Sequence, residues 1–153
     1  MKKEELELVS LITEAFSNVL LEDGIGLSEA TAIDEYKDRA FQLACRDKDE
    51  KLDWKNISSD SLNQNYTSLS FFDAKGMRFH LPAFLLVEMK GEYRFGMAFC
   101  LTHLSDYTKK QFELFNPKQR EAVKSFLEYL KEQPNYDFEK PVIESALAGY
   151  WSK

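Results

Sequence analysis

Residues that usually carry chemistry are scarce in this chain: two His and two Cys occur in 153 residues, and the six Gly and four Pro are scattered. So little Gly and Pro excludes a collagenous or linker-like chain, and 44% hydrophobic residues exclude a disordered one. The glycines form no phosphate cradle, since Gly24-Ile25-Gly26 lacks the third Gly of a dinucleotide loop and follows a helical pattern rather than a strand. P-loop, Gly-x-Ser-x-Gly and Cys-x-x-Cys patterns are missing. His80 and His103 stand 23 residues apart in different elements, so neither a metal site nor a cofactor is expected. The run Asp47 to Asp53 begins like a calcium loop but puts Leu52 where Gly is needed, with no Glu at the twelfth position.

Long apolar runs are also missing. The stretch Leu6 to Leu21 is interrupted by Glu7, Ser10, Thr13, Glu14, Ser17 and Asn18, which fits neither a signal peptide nor a membrane span. A cytoplasmic chain with no membrane partner is expected. In that compartment Cys45 and Cys100 read as buried free thiols, and the Asn56 and Asn65 sequons are accidental. Positive charge is in deficit: 20 Lys and Arg against 26 Asp and Glu give a net charge of −6, which repels a phosphate backbone, so nucleic acid is not an expected partner.

What the chain has in surplus is aromatic side chains, with twelve Phe, seven Tyr and two Trp. Its length fits one domain, residues 1–153. Apolar residues at helical spacing predict helices over 4–22, 28–46 with Ser28 as N-cap, and 83–90 opened by Pro82. Asn116-Pro117-Lys118-Gln119 predicts the start of another, as a capping box with a first-turn Pro. A last short helix runs from Pro141 to Gly149, with Tyr150 and Trp151 folded back onto the body. Residues 93–101 lean towards a strand or extended segment.

The segment from Ser68 to Leu81 alternates apolar and polar residues about Asp73-Ala74-Lys75-Gly76, which reads as an antiparallel hairpin with a Gly-bulge turn. Leu69, Phe71, Met77, Phe79 and Leu81 would share its dry face, and Ser70, Phe72, Arg78 and His80 its wet face. The expected fold is therefore α+β: mainly helical, with this small hairpin at about 68–81 packed on the helices. Ser70, Phe72, Asp73, Arg78 and His80 form the candidate functional surface, offering a hydroxyl, an anion-binding fork and a proton carrier together. Cys100 and His103 make a second, weaker pair, because a thiol and its base must touch: residues three apart on a strand point to opposite faces, while on a helix they could meet.

Several stretches, Leu27 to Tyr36, Asp53 to Ile57, Leu69 to Phe84 and Gln119 to Val123 among them, resemble an uncharacterised family of small bacterial proteins, a domain of unknown function. The most specific part is an Asp-x-x-Gly-x-Arg-Phe-x-Leu-Pro-Ala run, here Asp73 to Ala83. The resemblance implies a bacterial protein and brings no catalytic residue. It marks Asp34, Gly76 and Pro82 as structural positions of the motif, and its pattern tends to carry Tyr where this chain has His80. With no site motif, a small acidic chain and many aromatics, the expected function is a noncatalytic protein-binding module of the immunity-protein or regulatory kind. The alternative is a small enzyme or ligand-binding domain using the polar hairpin face.

Overall fold

The computed structural model describes all 153 residues, and every regular element in it is a helix. Nine α-helices follow in chain order: α1 (Lys3–Ala15), α2 (Leu27–Asp34), α3 (Arg39–Lys48), α4 (Ser59–Gln64), α5 (Ala74–Met89), α6 (Ala98–Thr102), α7 (Asp106–Gln111), α8 (Pro117–Lys131) and α9 (Lys140–Ala146). Short 3-10 turns at Trp54–Asn56, Tyr66–Ser70 and Pro134–Tyr136 link them, and a π turn at Leu147–Trp151 ends the chain.

The absence of any strand overturns the α+β expectation, and the physical reason lies at Asp73. Its carboxylate accepts the Gly76 N–H at 2.8 Å, which is the N-cap geometry of a helix rather than the start of a hairpin turn. The helix it opens buries Gly76, Met77, Phe79, His80, Leu81, Pro82, Ala83, Phe84, Leu85, Val87 and Met89. A helix enclosed on nearly all sides carries no polar stripe, so over the few residues after the turn its pattern is compatible with strand alternation. Pro82 sits inside this helix, not at its start, and deprives the Arg78 carbonyl of its usual N–H donor. Phe72, assigned to a wet face, is only 2% exposed, and His80 is fully buried.

Three other boundaries shift for local reasons. The first helix stops at Ala15 rather than running to Glu22, and Asn18 and Glu22 beyond it take positive φ. The predicted second helix breaks where Tyr36 takes φ 59°, and Asp38 restarts the chain as N-cap of α3 by accepting the Phe41 N–H. The N-cap of α2 is Gly26 rather than Ser28, which lies inside the first turn. Residues 93–97 are irregular and pass into α6 instead of forming a strand. The capping box at Asn116 is present as expected, and Trp151 does fold back, donating its indole N–H to the Leu101 carbonyl at 2.9 Å.

A single cluster of 32 buried hydrophobic residues has α5 at its heart, with α1, α4, α7 and the Trp54 turn packed against it. Helices α1 and α8 run antiparallel at its edge: Tyr129 donates to Glu5 at 3.0 Å near one end, and Gln119 donates to the Ala15 carbonyl at 3.1 Å at the other. Phe16, Phe79, Phe84 and Phe126 are fully buried in this cluster, each contributing about 1.5–3 kcal/mol of transfer free energy.

Gly76 is where the loop before α2 meets α5 most closely, since a Cβ there would lie 2.6 Å from the Ile25 carbonyl oxygen. Ala in place of Gly within a helix normally gains about 1 kcal/mol, while forcing a backbone apart costs roughly 1–3 kcal/mol. Because the obstacle is main chain, the second effect should win. Gly76→Ala is expected to lower stability in urea unfolding, and a stabilised variant would show that the two segments are not in contact.

Candidate functional site

The structure disperses the five residues that the sequence grouped. Ser70 is exposed, and its carbonyl accepts the Tyr107 hydroxyl at 2.6 Å. Phe72 lies in the core, stacked parallel on the His80 ring at 4.3 Å. Asp73 also accepts the Ile25 N–H at 3.0 Å, so one carboxylate caps α5 and holds the loop before α2. Arg78 donates to Glu22 on that loop at 2.8 Å, and Lys75 donates to Asp23 at 2.6 Å. From the other side Arg46 of α3 donates to the carbonyls of Gly24 and Glu22 at 3.1 and 2.7 Å. The motif residues thus clamp a loop; they do not converge on an open space.

His80 offers no proton carrier to solvent. Its Nδ1 lies 2.7 Å from the Gly76 carbonyl oxygen, which can only accept, so Nδ1 bears the hydrogen and Nε2 remains a buried acceptor without a partner. Burial pushes its pKa down from 6.5 to about 4, leaving the ring neutral at pH 7. Asp34, half-buried at the end of α2, makes no side-chain hydrogen bond.

Sequence reasoning missed a second polar cluster behind the clamp. Buried Glu29 accepts the Gly26 N–H at 2.9 Å and pairs with Arg39 at 3.1 Å and Arg46 at 3.5 Å. Asp49, at the end of α3, accepts the backbone N–H groups of Ser28 and Glu29 and so caps α2 from a distance. The acidic run from Asp47 to Asp53 thus supplies a helix cap and not a calcium loop. A polar depression of about 610 Å³ lies beside it, but three of its four charged groups are already committed: Asp49 to α2, Lys51 to the carbonyls of Asp47 and Asp49, and Glu50 to the N–H groups of Leu52 and Asp53. No group of His, Cys, Asp and Glu is placed to hold a metal ion.

One open concavity is aromatic. A groove of about 380 Å³ lies between the Tyr66–Ser70 turn, the 93–97 segment, α6 and α7. Tyr66 stacks on Phe95 at 3.9 Å, Phe99 stacks on His103 at 4.8 Å, and Tyr93 meets Phe95 edge-on at 5.7 Å. Gln111 braces the floor by donating to the carbonyls of Leu69 and Phe72 at 3.0 and 2.9 Å. Phe99 is 73% exposed and separates this groove from a second depression lined by Tyr136, Glu139 and Val142. Cys100 lines the groove too, but burial pushes its thiol up to about 12 and no hydrogen bond joins it to His103, which excludes an activated thiol with its base. The sequence pointed here only through the Cys100–His103 pair; Tyr66, Tyr93, Phe95, Phe99 and Tyr107 come together through tertiary packing.

A family model matches residues 4–153, almost the whole chain. The chain belongs to that family, DUF6714, described as a family of unknown function. No curated protein and no solved structure matches the chain. Membership in DUF6714 bears out the resemblance to an uncharacterised family and assigns no activity. No helix is long and apolar enough to cross a membrane.

The buried His80 makes stability sensitive to acid. Its folded pKa of about 4 lies below the ordinary 6.5, so the contribution of the neutral ring is fully present above pH 6.5 and is lost as pH falls towards 4. The loss amounts to roughly 3 kcal/mol across that window. Urea unfolding at stepped pH should show this acid limb, and His80→Phe should flatten it; an unchanged limb in the variant would place the acid sensitivity elsewhere.

Proposed function

We propose that this chain is a noncatalytic binding module that recognises a basic segment of another protein through the aromatic groove. The observation that carries the reading is the set of ring pairs held open to solvent, Tyr66 on Phe95 and Phe99 on His103, beside the 73% exposed Phe99. Exposed aromatic clusters on rigid supports are the usual anchors of protein interfaces, where Tyr and Phe bring large apolar area at low entropic cost. Stacking fixes these rings in advance of binding, which lowers the ordering cost a partner must meet. Charge supports a basic partner: the net charge of −6 steers cationic segments inward, and the ring faces accept Arg or Lys stems by cation–π contact.

The uncharged lining favours recognition over reaction. Its polar groups are hydroxyls, an amide and one imidazole, and its thiol is held as a thiol by burial. The charges of the loop clamp around Asp73 are paired with one another, whereas the rings of the groove are open to a partner.

A photo-crosslinking side chain placed at position 99 in the native host, compared with one at Leu52, tests the reading. Both positions are 73% exposed, and Leu52 belongs to the polar depression. Position 99 is expected to capture a defined basic protein that position 52 does not, with capture lost in Tyr66→Ala. Equal crosslinking at the two positions would contradict the groove as the recognition surface.

A further inference from the structure

The 91–97 segment, which forms one wall of the groove, is fastened at two points of different chemistry. At its start Asn63 of α4 donates to the Glu92 carbonyl at 2.9 Å and accepts the Arg94 N–H at 2.7 Å. At its end Glu88 of α5 accepts the Met97 N–H at 2.7 Å and also meets the Tyr136 hydroxyl from the Pro134–Tyr136 turn. Gly91, with φ 73° and open space where a side chain would be, is the pivot where the segment leaves α5. Asn63 does not titrate. Glu88 does, and it is held with no cation against it.

We propose that Glu88 is a proton-operated clasp on the 91–97 segment, holding the groove wall closed when its carboxyl is protonated and releasing it when the carboxyl ionises. The surroundings set that direction. The ionisable groups facing Glu88 are phenols: Tyr93 on the segment, Tyr129 on α8 and Tyr136 on the turn. The segment's own charges, Glu92 and Arg94, are exposed, and Glu139 of the neighbouring depression carries a buried oxygen with no partner. No Lys, Arg or His forms an ion pair with Glu88, so a charge closed in here is offset only by hydrogen bonds. Burial accordingly raises its pKa from 4.5 to about 7. A carboxyl freed by opening returns to its ordinary value, so the closed arrangement binds the proton more tightly. It is therefore favoured below pH 4.5 and progressively weakened as pH rises to 7.

Opening moves Tyr93 and Phe95 away from Phe84 and Tyr66, their ring partners on fixed elements, and so dismantles the groove. For the function proposed above, and resting on it, the consequence is that partner binding takes up a proton and weakens as pH rises from 6 to 8. The clasp itself is testable in the free protein, so its failure is distinguishable from failure of the binding reading.

Amide hydrogen exchange at Met97, corrected for the intrinsic pH dependence of exchange, measures the opening directly. Between pH 5.5 and 8 its protection factor is expected to fall about tenfold or more, with a ceiling of roughly thirtyfold set by linkage. The amide of Phe126 in the core of α8 serves as reference and should not follow it. Glu88→Gln, which keeps the shape and cannot ionise, should abolish the pH response at Met97. A Met97 protection factor that tracks Phe126 in the wild-type protein would overturn the proposal, as would a response that survives in Glu88→Gln; the wild-type comparison decides even if the variant fails to fold.

Discussion

Helix α5 must be covered on nearly every side, and the rest of the fold follows from how the chain does so. Eleven of its sixteen residues are buried, among them two Phe and two Met whose exposure to water would be costly. Helices α1, α4 and α7 and the Trp54 turn lie directly against it, and α8 closes over α1. A helix so enclosed still exposes backbone N–H groups at its start, and Asp73 satisfies one of these while tying down the loop before α2. That loop would otherwise be a mobile connection. Arg46, Lys75 and Arg78 fasten it further, and the positive φ at Glu22 is held within this net.

The same constraint explains what could and could not be read from the residues. The capping box at Asn116 and the apolar stripe of α8 were legible because that helix has one wet face and one dry face. The Asp73 to Ala83 motif was not. Asp followed three residues later by Gly is compatible with a Gly-bulge turn and with an N-cap whose third N–H meets the carboxylate, and complete burial erased the helical period that would have separated them. The proline argued the same wrong way, since the residue before Pro usually avoids helical backbone, and here Leu81 is helical because packing outweighs that preference. Misreading the segment as a hairpin then gathered Ser70, Phe72, Arg78 and His80 onto one face and made a site of residues that serve a core and a loop clamp.

The aromatic surplus was a better guide to the surface, though only part of it. Phe72, Phe112, Phe115 and Trp151 are core residues, with Phe112, Phe115 and Trp151 touching one another. Tyr93 and Phe95 do line an open groove, but Tyr66 and Phe99 reach it from positions 27 or more residues away from Tyr93 or by way of a short helix mistaken for a strand. No local period brings such residues together; the placement comes from how α5 positions the turn before it and the segment after it. The groove, its wall and the carboxyl that fastens the wall are all consequences of one buried helix.

The most direct test is therefore of that helix. Backbone chemical shifts of residues 74–82 in solution distinguish the two arrangements of the motif without any mutation. Cα shifts displaced downfield across the whole segment, with short contacts between the amides of successive residues, are expected for a helix capped by Asp73. Upfield Cα shifts on both sides of Gly76, with cross-strand contacts between residues 69–71 and 79–81, would restore the hairpin and contradict this account of the core, the clamp and the groove.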